Sequence, residues 1–208
     1  MPKTPAPKAP PRPVIAYYGG TFNPIHNGHL AVANAVLSNQ LAQQVHFLPS
    51  FAPPFKHNDA NLLPYETRSR FIDTAVSNIS HLFLNDLEQS MPPNAQGVVT
   101  TANVIRALQK KHGNTQPIFW IAGQDALASL AQWAEPEFLI HNVHWLQAPR
   151  NHQPPVTAIT LNNQSHPLHT TLINMPPVDI SSSQIRSRQQ NHESITDLIP
   201  SNLEGLIH

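Results

Sequence analysis

The stretch Gly19-Gly20-Thr21-Phe22-Asn23-Pro24-Ile25-His26-Asn27-Gly28-His29 constrains this chain more than any other. An apolar run with β-branched and aromatic residues, 14–18, precedes it. Behind it Leu30, Ala33, Val36 and Leu37 recur at helical spacing. A buried strand, a glycine turn and a helix start, in that order, make the loop by which α/β proteins hold phosphate. Backbone N–H groups point outward there, and the helix dipole favours an anion. The loop has neither G-x-x-x-x-G-K-S/T nor G-x-G-x-x-G, so both common phosphate fingerprints are absent. Two imidazoles, His26 and His29, flank Gly28 instead. They can donate hydrogen bonds to phosphate oxygens while adding little fixed charge. As metal ligands on adjacent turns they have no evident third partner.

The rest of the chain alternates in the same way. Residues 45–48 read as a second strand, followed by Pro49-Ser50-Phe51-Ala52-Pro53-Pro54-Phe55-Lys56, where prolines stiffen the loop that carries Lys56. Lys56 is either a solvated surface charge or a cation on the side where open α/β sheets bind ligands. Residues 66–78 have the helical period, with Arg68, Phe71, Ile72 and Ala75 on one face, and 81–84 are a third strand. Residues 86–98 are irregular, broken by Met91-Pro92-Pro93-Asn94. Thr100 or Thr101 caps a helix over 100–110 that turns Val104, Ile105 and Leu108 inward. Residues 117–122 are a strongly apolar strand running into Gly123-Gln124-Asp125, a helix through Leu130, and Trp133. A fifth strand spans 143–146 and ends at Pro149-Arg150, and 147–169 read mostly as loop. A last strand is expected at 172–175. A helix then opens at Ile180-Ser181-Ser182-Ser183-Gln184-Ile185-Arg186 with a serine cap, and one or two short helices follow between 194 and 206.

Strands alternating with helices imply a parallel sheet covered on both faces. Short connections and right-handed crossovers reduce the choice to a Rossmann-like, doubly wound α/β domain over residues 14–208, with the strand order left open. Residues 1–13 hold six prolines and read as an extended, disordered tail, either inert or a Pro-rich recognition segment. Lys3, Lys8 and Arg12 in that tail leave the body with more acids than bases, although the formal net charge is zero. Such a body does not suit a general nucleic-acid binder. No apolar run approaches the ~18 residues of a membrane span. Nucleic acid and membrane are therefore not expected partners. Cysteine is absent, which excludes disulfides, thiolate zinc sites and Cys nucleophiles and fits a cytoplasmic setting. The histidines other than His26 and His29 read as polar surface residues without metal-site spacing.

The first loop resembles the H-x-G-H signature of the nucleotidyltransferase superfamily. Its longer form, G-G-T-F-N-P-x-H-x-G-H, resembles the loop of the bacterial nicotinate-mononucleotide adenylyltransferases. Four residues recur by chance, but further segments fall in the family's order. Pro53-Pro54-Phe55-Lys56 is similar to P-P-H-K, with Phe55 for histidine. Gly123-Gln124-Asp125 through Trp133 is similar to G-x-D-x-L-x-x-L-x-x-W. Ile180 to Arg186 resembles I-S-S-T-x-I-R, with Ser183 for threonine. One segment departs: S-Y-T-x-x-T-L stands as Val98-Val99-Thr100-Thr101-Ala102-Asn103-Val104, without the tyrosine and with asparagine for the second threonine.

The resemblance implies transfer of the adenylyl group of ATP to nicotinate mononucleotide, giving deamido-NAD and pyrophosphate. Mg2+ is expected with ATP, held largely by substrate oxygens and water. Such a transfer needs in-line placement and donors on the oxygens that gain charge, not a covalent enzyme intermediate. On that reading the amides of Gly19, Gly20 and Thr21, with Phe22 in the same loop, cradle phosphate. His26 and His29 donate to bridging and non-bridging oxygens. Arg186 holds the β- and γ-phosphates, Ser182 and Ser183 form a second anion-binding helix start, and Lys56 bridges the phosphates of both substrates. Trp133 either stacks on the cationic pyridine ring or is core. Asp125 either accepts from ribose hydroxyls or caps its helix. Amides near Thr100 receive the nicotinate carboxylate. The alternatives are the same chemistry on nicotinamide mononucleotide or another phosphate acceptor, and a nucleotide-binding protein without turnover. Monomer and homodimer are equally compatible with the sequence.

Overall fold

The first apolar run forms β1 (Ile15–Gly20), the strand on which the rest of the sheet is laid. It pairs in parallel with β2 (Gln44–Pro49) on one side and β4 (Ile118–Gly123) on the other. Beyond β2 lies β3 (Leu82–Leu84); beyond β4 lie β5 (Val143–Ala148) and β8 (Thr170–Leu172). The order β3-β2-β1-β4-β5-β8, all parallel, is that of a Rossmann-like doubly wound sheet, which supplies the order the sequence left open. Its reversal point lies between β1 and β4, where the C-terminal ends of the two strands open a crevice. A computed structural model describes residues 13–53, 60–113, 117–150 and 153–207. The proline-rich stretch 1–12, with Phe55 and Lys56, lies outside the described residues.

Side chains alternate across β1 and divide the core. Ala16 points to the layer made by α1 (Asn27–Ser38), α2 (Tyr65–Val76) and the C-terminal segment, with Val36, Phe47, Ile72 and Leu203. Tyr17 points to the layer that contains Ile105, Leu108, Trp120 and Leu139. Ile105 and Leu108 come from α3 (Thr101–His112), Leu139 from α5 (Pro136–Asn142). The Thr100 hydroxyl caps α3 by accepting from Asn103 N–H at 3.3 Å, and Gly113 ends it at φ 80°. Lys110, Lys111 and His112 sit in the last turn, where cations complement the helix dipole. Among the described residues, no helix is long and apolar enough to cross a membrane.

Several boundaries differ from the sequence reading, each for a local reason. Gly19 and Gly20 belong to β1 rather than to a turn, because parallel pairing with β2 continues to Gly20 opposite Pro49. The turn falls two residues later, at Phe22 with φ 48°. The segment read as loop over 147–169 contains an antiparallel hairpin, β6 (Ala158–Leu161) and β7 (Gln164–Pro167). Asn162 and Asn163 both take positive φ between its strands, as a tight hairpin turn requires. α5 starts with a proline in its first turn, a position that needs no N–H, and is too short to declare a period. The last strand lies at 170–172 rather than 172–175. Of the one or two short helices expected over 194–206, one is present, the 3-10 helix Ser201–Leu203. His46, read as a surface residue, is half-buried between Gln44 and Asn85, and burial pushes it down to about 4.

Candidate active site

The head of α1 carries both imidazoles. His26 occupies the N-cap position in extended conformation, and its ring stacks on that of His29 with centroids 3.7 Å apart and planes 26° from parallel. The backbone N–H of His26 donates to Nδ1 of His29 at 3.2 Å. Burial and the Arg150 charge push His26 down to about 4. Burial, His26 and Arg150 hold His29 well below the usual range. Both rings are therefore neutral at pH 7. A neutral His29 that accepts at Nδ1 carries its proton on Nε2, so its free nitrogen is a donor. The rings of Phe22 and Tyr18 meet His29 edge-on at 4.9 and 5.8 Å and fix its plane. Nδ1 of His26 is buried with no hydrogen-bond partner among the described residues. Gly28 allows this packing: a Cβ there would come within 3.0 Å of both that nitrogen and Val178.

The loop between β1 and α1 is gripped from several sides. The guanidinium of Arg68, in a residue only 1% exposed, donates to the carbonyls of Thr21 (2.7 Å), Ser50 (2.8 Å) and Leu63 (2.9 Å). A buried cation is tolerable only with such partners. The Asn23 side chain bridges Asn61 and Leu63. α6 (Ser182–Gln190) docks on the same loop. Ser182 Oγ donates to Pro24 O at 2.9 Å, and Arg186 Nη1 donates to Asn23 O at 2.7 Å. Nη2 of Arg186 donates to Ser183 Oγ at 3.2 Å. On the other flank, Asn27 donates its backbone N–H to Leu198 O (2.9 Å) and its side-chain amide to Asp197 O (3.3 Å) and Ile199 O (3.0 Å). His26, His29, Ser182, Ser183 and Arg186, about 160 residues apart in sequence, thus share one loop.

Next to it, a cavity of about 710 Å3 opens between the end of β1 and the head of α3. Gly19, Gly20 and Thr21 line one side and Thr100 and Thr101 the other, with Trp120 and Trp133 between them. Trp120 is seated directly against Gly19: a Cβ at that position would stand 2.0 Å from its ring. Trp133 is half-buried. Its Nε1 donates to Ser129 Oγ at 3.2 Å, and its ring meets Trp145 edge-on at 6.0 Å, so it is anchored in the core and still faces the cavity. The volume falls within the usual range for small-molecule sites.

At the ends of β4 and β5, Asp125 does not cap its helix, α4 (Gln124–Ala128); Gly123 holds the cap position without a side chain. The Asp125 carboxylate faces Arg150 instead, Oδ1 to Nε 3.6 Å. Arg150 is further fixed by its N–H to Gln124 Oε1 (2.8 Å) and by Nη1 to Val178 O (3.3 Å). The sequence reading passed over Arg150, although a cation at a strand end beside the sheet's reversal point is a signal of the kind used for Lys56. Glu88, on the cavity wall, was also passed over. Among the described residues no group of three or more His, Asp or Glu side chains gathers to hold a metal ion.

The cytidylyltransferase-like family matches this chain over residues 17–188. A probable nicotinate-nucleotide adenylyltransferase of Synechococcus sp. (strain JA-3-3Ab) is 30% identical over 203 residues, covering 97% of this chain and 95% of the relative. One from Yersinia enterocolitica is 28% identical, covering 93% and 92%. Among solved structures, Plasmodium falciparum nicotinic acid mononucleotide adenylyltransferase complexed with NaAD superposes with a TM-score of 0.69 at 22% identity, covering 91% of this chain and 92% of the other. Its complex with APC gives 0.70 at 20% identity, covering 93% and 94%.

Proposed function

The chain belongs to the cytidylyltransferase-like family and is a nucleotidyltransferase of NAD biosynthesis that joins ATP to nicotinate mononucleotide, and we propose that its residues divide that work as follows. The acceptor phosphate, already anionic, attacks the α-phosphorus of ATP. One P–O bond forms, the bond to the β-phosphate oxygen breaks, and pyrophosphate leaves. No side chain has to take a proton, so the task is placement and stabilisation of the charge that builds on the oxygens.

The observation that carries this reading is the neutral, stacked histidine pair at the head of α1. The Nε2–H of His29 is a preorganised donor whose orientation is set by His26 N–H and by two aromatic rings. Its neutrality lets it stabilise developing charge without pairing off the nucleophile. His26 lends its own ring beside it. Arg186, fixed to Asn23 O and Ser183, presents its remaining N–H groups to the β- and γ-phosphates. Ser182, Ser183 and the start of α6 add a second set of donors. The amides of Gly19, Gly20 and Thr21 border both phosphate and acceptor, with Phe22 bracing His29. Lys56 supplies a cation to both substrates. Mg2+ enters with ATP and is held by its phosphates and water.

The cavity takes the acceptor. The indole of Trp133 suits the cationic pyridine ring. The head of α3 at Thr100 suits its carboxylate. Asp125, beside Arg150, accepts from ribose hydroxyls. The reaction is cytoplasmic on this reading. The test is pyrophosphate release from Mg·ATP with nicotinate mononucleotide, nicotinamide mononucleotide and phosphopantetheine in turn. Release with nicotinate mononucleotide is expected to exceed the others. Equal or greater release with another acceptor reassigns the substrate, and ATP binding without release under any of them overturns the enzymatic reading.

A further inference from the structure

Glu88 sits on the 3-10 turn Leu87–Ser90, lines the acceptor cavity and is only 5% exposed. Among the described residues it is the one ionisable side chain in that lining. Its Oε2 accepts from Phe51 N–H at 3.0 Å. Arg68 of α2 lies close enough to favour the ionised form, but it donates to the carbonyls of Thr21, Ser50 and Leu63 rather than to Glu88. Among the described residues, Tyr65 of α2 also interacts with Glu88 electrostatically, and Asp86, two residues earlier in sequence, acts on the same Tyr65. Burial outweighs the help from Phe51 and Arg68 and pushes the carboxyl up to about 7.

We propose that Glu88 sets the cavity's preference between an acidic and an amide pyridine nucleotide: the acid is bound together with a proton on Glu88, the amide without one. The inference rests on the acceptor reading of the cavity. Two negative charges in a mostly apolar enclosure repel strongly, so a bound carboxylate drives Glu88 to take a proton from solvent. An amide brings no such charge. The pyridinium charge and the 5′-phosphate are common to both acceptors and cancel in the comparison.

The experiment is the ratio of kcat/KM for nicotinate over nicotinamide mononucleotide from pH 5.5 to 8.5, in the wild type and in Glu88→Gln. Glutamine can still accept from Phe51 N–H but does not titrate. In the wild type the ratio is expected to be level at low pH and to fall above pH 7 by up to about tenfold per unit, the limit for one coupled proton. In Glu88→Gln it is expected to stay level. A level ratio in the wild type, or the same fall in both proteins, overturns the proposal while leaving the adenylyltransferase reading intact. Failure to release pyrophosphate with either acceptor overturns that reading itself. Calorimetry on the wild type in two buffers of different ionisation enthalpy gives a check that needs no variant. At pH 8.5, where free Glu88 is ionised, about one proton more taken up with the acid than with the amide supports the proposal; equal uptake with the two overturns it.

Discussion

The proposed phosphate side of the site and the proposed acceptor side are built on opposite plans. Around the heads of α1 and α6 nearly every polar group is held by another: His29 by His26, Arg186 by Asn23 and Ser183, Ser182 by Pro24, Asn27 by three carbonyls of the C-terminal segment. Among the described residues, the proposed acceptor cavity is walled by indoles, valines, small residues and the amides of Asn94, Gln96 and Gln132, with Glu88 as its single titratable side chain. The first region fixes a geometry that chemistry requires within fractions of an ångström. The second offers shape and a choice of charge, which is what discrimination between related rings requires. On the proposed reading, rigidity and selectivity belong to different neighbours of the same strand, β1.

The contrast can be broken by substitutions on either side. The largest effect is expected from His29→Ala, which should lower turnover by roughly 10²–10³ while leaving the fold intact, the range for losing one preorganised donor. Single-turnover kinetics with circular dichroism as a control would decide; near-normal turnover in a folded variant contradicts the role. Arg68→Met is expected to damage both sides at once, because Thr21 and Ser50 lose the same donor. Three carbonyls left without it should reduce stability by about 3 kcal/mol or more, at ~1–3 kcal/mol for each unpaired buried group. Urea unfolding measures this, and a loss confined to one substrate's KM would show that the two regions are less joined than the contacts indicate. Trp133→Ala should raise the acceptor KM by roughly 10-fold with little change for ATP, the order of a desolvated cation–π contact. Equal effects on both substrates would make Trp133 a packing residue only.

The smallest effect concerns acid. His26, His29 and His46 have pKa values pushed below the ordinary 6.5, His26 and His46 to about 4. A group depressed in this way contributes stability that is complete above pH 6.5 and is lost as pH falls toward 4. Glu88 has the opposite sign: raised to about 7, its contribution is complete below pH 4.5 and is lost as pH rises through 7. Unfolding curves between pH 7.5 and 4.5 should therefore show falling stability, partly offset by Glu88, with a steeper decline in Glu88→Gln.

The two regions also differed in what the sequence disclosed. Gly19 to His29 is contiguous and its chemistry is local, so strand, loop and helix start could be read together, and with them the fold. The capping Thr100 and Ser181 were legible for the same reason. Arg68 was seen only as one residue of a helical face, since its role depends on carbonyls from three separate segments. Glu88 stands in an irregular stretch where a carboxylate ordinarily means surface, and nothing local announces a buried wall. Arg150 is defined by Asp125 and Val178, neither its neighbour in sequence. The hairpin over 158–167 was hidden by polar strands, although Asn162-Asn163 was a turn signal available to be read.

The grip of Asn27 on the carbonyls of residues 197–199 has a consequence for biosynthesis. The loop that leads to the histidines leaves the ribosome well before the peptide groups that brace it, which lie about 170 residues further on. A nascent chain can lay down its sheet early, yet the head of α1 stays unbraced until residues 197–199 emerge. The histidine loop therefore reaches its final bracing only after residues 197–199 have been made and have folded back against it.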